Sequence, residues 1–283
     1  MPIRHVSDTA FWVAMYRAFE SERPDALFHD PYARRMAGKR GQEIVRELPF
    51  GQSMAWSMIV RTVLMDEIIL RCIAQGARTV VNLGAGLDTR AFRLALPSGL
   101  CWFDVDLPGI VAHRRGCLKG ETPACKHTQI AADLSDAAAL DEVLASARAS
   151  GGPLLLITEG LLVYLAPEQV ISLAQQLHAE RLARWWVTDL VTPLSLMTVG
   201  VLWQSCLKAA KAPFQFAPDN SAEFFEPLGW HEAEFRSIWD ESLRLDRSTP
   251  MAWWWSVFGK PAFAGSHEGL RRMAGIALLE RIT

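Results

Sequence analysis

Apolar positions recur along this chain with two different spacings, and the change between them divides it. Phe11, Trp12, Met15 and Phe19 fall on one helical face that Asp8 or Thr9 is placed to cap. Pro24 and Asp30-Pro31 punctuate the stretch beyond that helix, so the first fifty residues read as helix with loops. A second helix is predicted from about Met54 to Ala74, with Gly76 as its stop. Short β-rich runs then begin: Thr79–Leu83, Cys101–Asp106, His127–Ala132, Leu154–Thr158 and Trp185–Leu190. Helical stretches separate them, one from about Asp88, one over Ala137–Ala147 and one over Glu168–Ala179 behind Pro167. Leu154–Thr158 is continuously apolar, as suits a strand buried on both faces. This rhythm predicts an α/β fold, a doubly wound and mostly parallel sheet with helices on both faces.

The rhythm breaks after Thr192-Pro193. An apolar helix over Leu196–Ala210, then Pro213 and Pro218, reads as an insertion covering one end of the sheet. A helix near Ala222–Leu228 and strands around His231–Arg236 and Ile276–Ile282 complete the pattern. We expect one domain over 1–283: a helical cap over 1–76, a core over 77–192, a lid over 193–222, and a return to the sheet over 223–283.

Composition narrows the classes. The 283 residues are 50% apolar and 21% charged, ample for a core. Twenty-nine basic against 31 acidic residues leave a charge of −2, so no net field recruits nucleic acid or an anionic membrane. The five cysteines are odd in number, with no CxxC pair and no zinc-site spacing; they read as reduced thiols of a cytoplasmic protein, and no metal is expected. No apolar run approaches the ~18 residues of a membrane helix. The apolar stretch Ala10–Ala18 carries Arg17 and leads into Glu20 and Glu22, unlike a secretory signal. Eleven Trp stand against three Tyr. Most read as core, while Trp203, in the expected lid, can form an aromatic wall, and Lys208 and Lys211 can steer an anion.

The chemistry concentrates where strands end. Val80-Val81-Asn82-Leu83-Gly84-Ala85-Gly86-Leu87-Asp88-Thr89-Arg90 is strand, glycine turn, helix. Gly84 and Gly86 let the chain turn tightly and let a ligand approach Ala85 and its neighbours. About 20 residues on, the second strand ends in Asp104-Val105-Asp106, where an acid can accept both hydroxyls of a ribose, or merely cap the turn. Thr158-Glu159-Gly160 puts another carboxylate at the same crevice. The third glycine of a dinucleotide fingerprint is absent, so a ligand without a pyrophosphate fits better. S-adenosyl-L-methionine is such a ligand. It needs acids for ribose and ammonium, a partner for its carboxylate and an apolar slot for adenine.

Two arginines can supply that partner. Met54, Met58, Arg61, Met65, Ile68 and Cys72 form the buried seam of one helix, with Arg61 in its middle. Arg17 lies likewise within an apolar run. A buried guanidinium must meet an anion, and it grips carboxylates with two parallel hydrogen bonds. Each also has a local alternative: Asp66 or Glu67 for Arg61, Glu20 or Glu22 for Arg17.

Over residues 10–170 these stretches, taken in order, resemble the class I S-adenosyl-L-methionine-dependent methyltransferases of the leucine carboxyl methyltransferase group. That group includes natural-product O-methyltransferases of the tetracenomycin carboxyl methyltransferase type. The stretches are Tyr16-Arg17-Ala18 with Asp25 and Asp30-Pro31, Arg61-Thr62 with Asp66, the glycine motif, Phe103-Asp104-Val105-Asp106-Leu107-Pro108, Ala132-Asp133-Leu134, and Glu159-Gly160-Leu161-Leu162-Val163-Tyr164-Leu165. The resemblance implies a seven-stranded Rossmann-like sheet with a helical cap. It implies that Arg17 and Arg61 hold the methionine carboxylate, that Gly84 lines the cofactor and that Asp106 binds the ribose. Asp133 and Leu134 would border adenine, and Glu159 the methionyl amino end. Ala85, Gly86, Asp104, Leu107 and Gly160 complete the expected cofactor site. A Lys is common in the group at Arg17, so charge is kept while the grip differs.

The reaction expected is in-line methyl transfer to an oxygen of a small, largely apolar acceptor. A carboxylate is favoured because, with a pKa near 4, it needs no base. His113 and His231 are the histidines to inspect, but each reads more simply as a surface or helix-end residue, so no catalytic residue is named. The alternatives are a protein C-terminal carboxyl methyltransferase, a non-catalytic cofactor-binding protein, and an NAD-dependent oxidoreductase. Nothing in the sequence sets the oligomeric state.

Overall fold

The expected alternation is present. A computed structural model describes residues 5–48, 51, 55–197, 213–248 and 271–282. Three helices come first, α1 (Asp8–Ser21), α2 (Ala33–Glu47) and α3 (Ala55–Ala74). The strands are β1 (Thr79–Leu83), β2 (Cys101–Asp106), β3 (Lys126–Ala131), β4 (Leu154–Thr158), β5 (Ala183–Val191), β6 (Trp230–Ser237) and β7 (Ala274–Arg281). Between them lie α4 (Arg90–Arg93), α5 (Pro108–Cys117), α6 (Ala137–Ala149), α7 (Pro167–Ala179) and α8 (Ile238–Arg244).

The seven strands form one sheet in the order β3-β2-β1-β4-β5-β7-β6. β1 to β5 are parallel, while β7 runs antiparallel between β5 and β6. The strand order reverses between β1 and β4, the switch point at which open α/β sheets bind ligands. This is the Rossmann-like architecture the sequence predicts.

The period of two along each strand sorts the core into two layers. Val81, Leu83, Phe103, Val105, Leu154, Leu156 and Trp186 pack against α6 and α7. Val80, Trp102, Leu155, Ile157, Trp185 and Val187 pack against α3 and Ile238 of α8. A third cluster joins α1, α2 and the start of α3 to Leu87 and Ile110, so the N-terminal helices sit over the glycine turn. Four tryptophans, Trp102, Trp185, Trp186 and Trp230, are fully buried. Each indole N–H finds an acceptor: Asp104, Glu280, Thr158 and the Ala174 carbonyl. Trp203 and Trp253 to Trp255 lie outside the described residues.

Several elements differ from the sequence reading. The helix expected from Asp88 is a single turn, because Leu94 is extended and Pro97 comes soon after. Residues 221–228 form a 3-10 rather than an α helix; Pro227 inside it has no N–H to give. The pattern did not separate out α2, α5 or α8; Pro108 opens α5 in its first turn. A helix starts at Pro193 and includes Leu196, where the lid helix was expected to begin; of that expected helix over Leu196–Ala210, everything from 198 on lies, with 211 and 212, outside the described residues. Among those described, no helix is long and apolar enough to cross a membrane.

Candidate active site

A cavity of about 470 Å³ opens at the carboxyl ends of β1 to β5. The alternation that builds the core also builds its charged wall. Asn82, Asp104, Asp106, Glu159 and Asp189 share parity with Val80, Trp102, Ile157 and Val187, and so face the side covered by α3. Of these, Glu159 and Asp189 meet the basic groups of α3 and α4.

Arg61 does meet anions, but not the local ones. Its Nε donates to Glu159 at 2.9 Å and its Nη1 to Asp189 at 3.0 Å. Asp66 instead pairs with Arg90 and Arg93. Arg17 also bypasses Glu20 and Glu22. Its Nε donates to Asp30 at 2.9 Å and its Nη2 to the Leu87 carbonyl at 2.5 Å. Asp30 accepts further bonds from Thr89 Oγ1 and from the amides of Tyr32 and Ala33, so it ties the start of α2, the glycine turn and Arg17 together. Each guanidinium is thus fixed through two nitrogens. Arg17 Nη1 and Arg61 Nη2 have no partner among the described residues, and both arginines line the cavity.

Glu159 is held between two cations. Arg61 Nε reaches one oxygen, and Arg90 Nη1 reaches the other at 2.6 Å. Burial alone would raise its carboxyl, but Arg90 and Arg61 outweigh it and hold Glu159 below the usual carboxylate range. Burial would likewise strip charge from Arg61, yet Glu159 and Asp189 keep it firmly protonated. Arg90 also holds Asp88, at 2.7 Å, and Asp66, at 2.6 Å, so one side chain joins the glycine turn, α3 and the tip of β4.

The glycine turn has the conformation only glycine adopts cheaply. Gly84 and Gly86 have φ of 68° and 52°. A Cβ on Gly84 would stand 3.1 Å from Leu161 Cδ1, and one on Gly86 3.2 Å from Ala10 Cβ. Asp106 accepts from the Gly86 amide at 2.6 Å and the Leu107 amide at 2.7 Å. Burial raises its carboxyl above the ordinary aspartate value despite those two bonds.

Asp104 requires a correction. It does not line the cavity; it is 1% exposed and belongs beneath the site. It accepts from Asn82 Nδ2 and Trp102 Nε1, both at 2.9 Å, lies 2.7 Å from His127 Nε2, and pairs with Arg114. Two residues further along the strand the same face reaches the cavity, and Asp106 lies there. All the other expected site residues line it: Arg17, Arg61, Gly84, Ala85, Gly86, Asp106, Leu107, Asp133, Leu134, Glu159 and Gly160.

Beyond the charged wall the cavity is apolar, with Val163, Tyr164, Leu190, Leu196, Phe214 and Phe216 among its lining. Burial pushes the Tyr164 phenol above its ordinary value, so at neutral pH it is a donor. His113 and His231 stand elsewhere. His113 packs on Phe11 and meets the Met36 carbonyl, and His231 meets the Glu280 carbonyl.

The family model for leucine carboxyl methyltransferase matches residues 10–178. The chain belongs to that family. Curated relatives of the chain carry the designation S-adenosyl-L-methionine-dependent methyltransferase. A Streptomyces coelicolor protein assigned by name to such methyltransferases is 38% identical over 182 residues, covering 58% of this chain and 61% of its own length. A Frankia alni protein of the same designation is 30% identical over 258 residues, covering 84% of this chain and 87% of its own. In the first three such relatives the matched stretch spans 56–61% of the protein's length. Two crystal structures share the fold. A DUF574 family protein from Streptomyces avermitilis has a TM-score of 0.59 at 17% identity, over 95% of this chain and 96% of its own. A Thermobifida fusca protein solved as a methyltransferase has 0.61 at 13%, over 100% and 97%.

Within this leucine carboxyl methyltransferase scaffold, sequence reasoning missed Asp30, Asn82, Arg90 and Asp189. One signal was available for Asn82 and Asp189. Both interrupt apolar strands on the parity that also carries Glu159, and a polar residue on a buried face must meet a partner.

Proposed function

We propose that the chain transfers a methyl group from S-adenosyl-L-methionine to an oxygen, with a carboxylate favoured, of a small and largely apolar molecule. One observation carries this reading. A single cavity is lined both by two anchored arginines, each with one nitrogen unpartnered among the described residues, beside an anionic Glu159, and by a set of apolar side chains.

The residues suit the cofactor. Arg17 Nη1 and Arg61 Nη2 are donors for its carboxylate, already oriented by Asp30, Leu87, Glu159 and Asp189. Glu159 is an anion for the ammonium. Asp106 offers acceptor oxygens for the ribose hydroxyls beside the Gly84–Gly86 turn. Asp133 and Leu134 also line the cavity, where they would border adenine. When bound, the cofactor supplies a methyl already activated on a sulfonium.

The protein's remaining task is alignment and exclusion of water. Fixed geometry of this kind is worth roughly 7–11 kcal/mol of a two-reactant barrier. Val163, Phe214 and Phe216 give the cavity apolar lining, and Tyr164 keeps its proton and can donate to an acceptor oxygen. A carboxylate is ionised at neutral pH and needs no base.

The test is twofold. Calorimetry with S-adenosyl-L-methionine and NAD is expected to show binding of the first and not the second. Transfer is then measured against aromatic acids, aliphatic acids, phenols and peptides with free C-termini. Turnover of a small acid supports the reading. Turnover confined to peptides moves it to a protein carboxyl methyltransferase, and binding with no turnover on any acceptor moves it to a binding protein.

A further inference from the structure

The tip of β5 carries an acid that no motif of the glycine turn, of β2 or of β4 includes. Asp189 comes after two fully buried residues, Val187 and Thr188, and period two points it at α3. Its two oxygens do different things. Oδ1 accepts from the Gly160 amide at 2.7 Å, and Oδ2 accepts from Arg61 Nη1 at 3.0 Å. Gly160 sits in the left-handed region, at φ 62°, and a Cβ there would lie 3.4 Å from Arg61 Nη1. The turn after β4 and the arginine of α3 are therefore in close contact, and one carboxylate spans both.

We infer that Asp189 is a positioning residue for the cofactor: it sets the plane of the Arg61 guanidinium and locks the Glu159-Gly160 turn against it. This rests on the cofactor reading given above. Glu159 alone holds Arg61 through Nε, about which the guanidinium can still swing. A second anchor at Nη1 removes that freedom and directs Nη2. A planar fork fixed at two corners presents its third nitrogen in one direction, and lost orientation at such a group appears as lost affinity.

The substitution Asp189→Asn separates the two oxygens. The amide oxygen still accepts from Gly160, while the amide nitrogen faces Arg61 as donor against donor. Binding of S-adenosyl-L-homocysteine is measured by calorimetry on the full chain, for wild type, D189N, R61Q and the double variant, beside thermal unfolding without ligand. The expected result is a roughly tenfold weaker dissociation constant for D189N with folding retained, and little further loss when D189N is added to R61Q. Residues acting through one another are non-additive. A merely structural Asp189 would lower the unfolding temperature and weaken binding equally in both backgrounds; additive losses, or an unchanged constant, overturn the inference. Asp189→Glu gives a reading that does not depend on D189N folding. It keeps the charge but moves it by one methylene, and a loss of about threefold that disappears in R61Q is expected. An unshifted constant for D189E overturns the inference as well. Failure of the wild type to bind the nucleoside would overturn the cofactor reading, and this inference with it.

Discussion

Asp104 and Asp106 are the same residue type on the same face of the same strand, two positions apart, and they have opposite roles. Asp104 lies in a closed floor. Asn82, Trp102, Arg114 and His127 saturate it, and Asp88 beside it is bound by Asn82 and Arg90. Asp106 lies on the rim, bonded to two backbone amides and bordering the cavity. Arg17, Arg61 and Glu159 are rim residues too, each anchored yet bordering the cavity. Depth along the strand makes the difference: one step of two residues moves a carboxylate from a site where four groups converge to one where ligand can reach. The floor stiffens the sheet edge, and the rim selects what binds there.

The sharpest way to break this contrast is to remove the side chain that joins the two layers. Arg90 holds Asp66, Asp88 and Glu159 at once. Arg90→Met would leave three acids short of a partner, and breaking a buried pair costs about 3–5 kcal/mol. Urea unfolding is expected to show a loss of that order. A loss under about 1 kcal/mol would mean that floor and rim do not depend on each other.

The contrast itself is tested by paired variants. Asp104→Asn is expected to destabilise by about 2–4 kcal/mol, since Arg114 loses its counter-charge in the interior, while the folded fraction binds cofactor as before. Asp106→Asn, which leaves one acceptor oxygen for the Gly86 and Leu107 amides, is expected to destabilise by less, about 1 kcal/mol, and to weaken cofactor binding about tenfold. Equal effects of the two on binding would erase the distinction between them.

How much of the molecule was legible beforehand divides along the same line. The parallel strands were readable because each is a compact apolar run, and the glycine turn because Gly84 and Gly86 need positive φ. Rim positions on β1, β2 and β4 could be read because strand ends are marked by the next turn. Asp104 could not be separated from Asp106, because its partners Arg114 and His127 come from α5 and β3, and no spacing along β2 reports them. The partners of Arg17 and Arg61 were hidden for the same reason. Local acids were available in sequence, but the fold brought Asp30, Glu159 and Asp189 closer.

Acid titration sharpens the comparison with a smaller effect. Glu159 is depressed below its ordinary value of 4.5, so its contribution is complete above that value and is lost as pH falls through the folded-state pKa. Asp104 and Asp88 are depressed as well and act with the same sign. Asp106 is raised, so its contribution is present at low pH and is lost as pH rises through the folded-state value. Urea unfolding measured from about pH 6 to about pH 3 should show stability falling. Glu159→Gln should flatten that fall and Asp106→Asn should steepen it. Parallel profiles for the two variants would place both carboxylates in one environment.

The gentlest test concerns the rim alone. Arg17 uses Nε for Asp30 and Nη2 for the Leu87 carbonyl, leaving Nη1 unpartnered among the described residues, and the side chain lines the cavity. Arg17→Lys preserves the charge but replaces a planar fork by one nitrogen with three donors. A single ammonium can serve Asp30, Leu87 and a ligand carboxylate only if all three converge on one point, which a fork does not require. Cofactor binding is therefore expected to weaken about threefold, with the unfolding midpoint within about 0.5 kcal/mol of wild type. Arg17→Met, which lacks the charge as well as the fork, should weaken binding well beyond that. If the lysine and methionine variants bind alike, Arg17 acts through its geometry and not its charge; if the lysine variant binds like wild type, the charge suffices and the fork at this corner of the rim is dispensable.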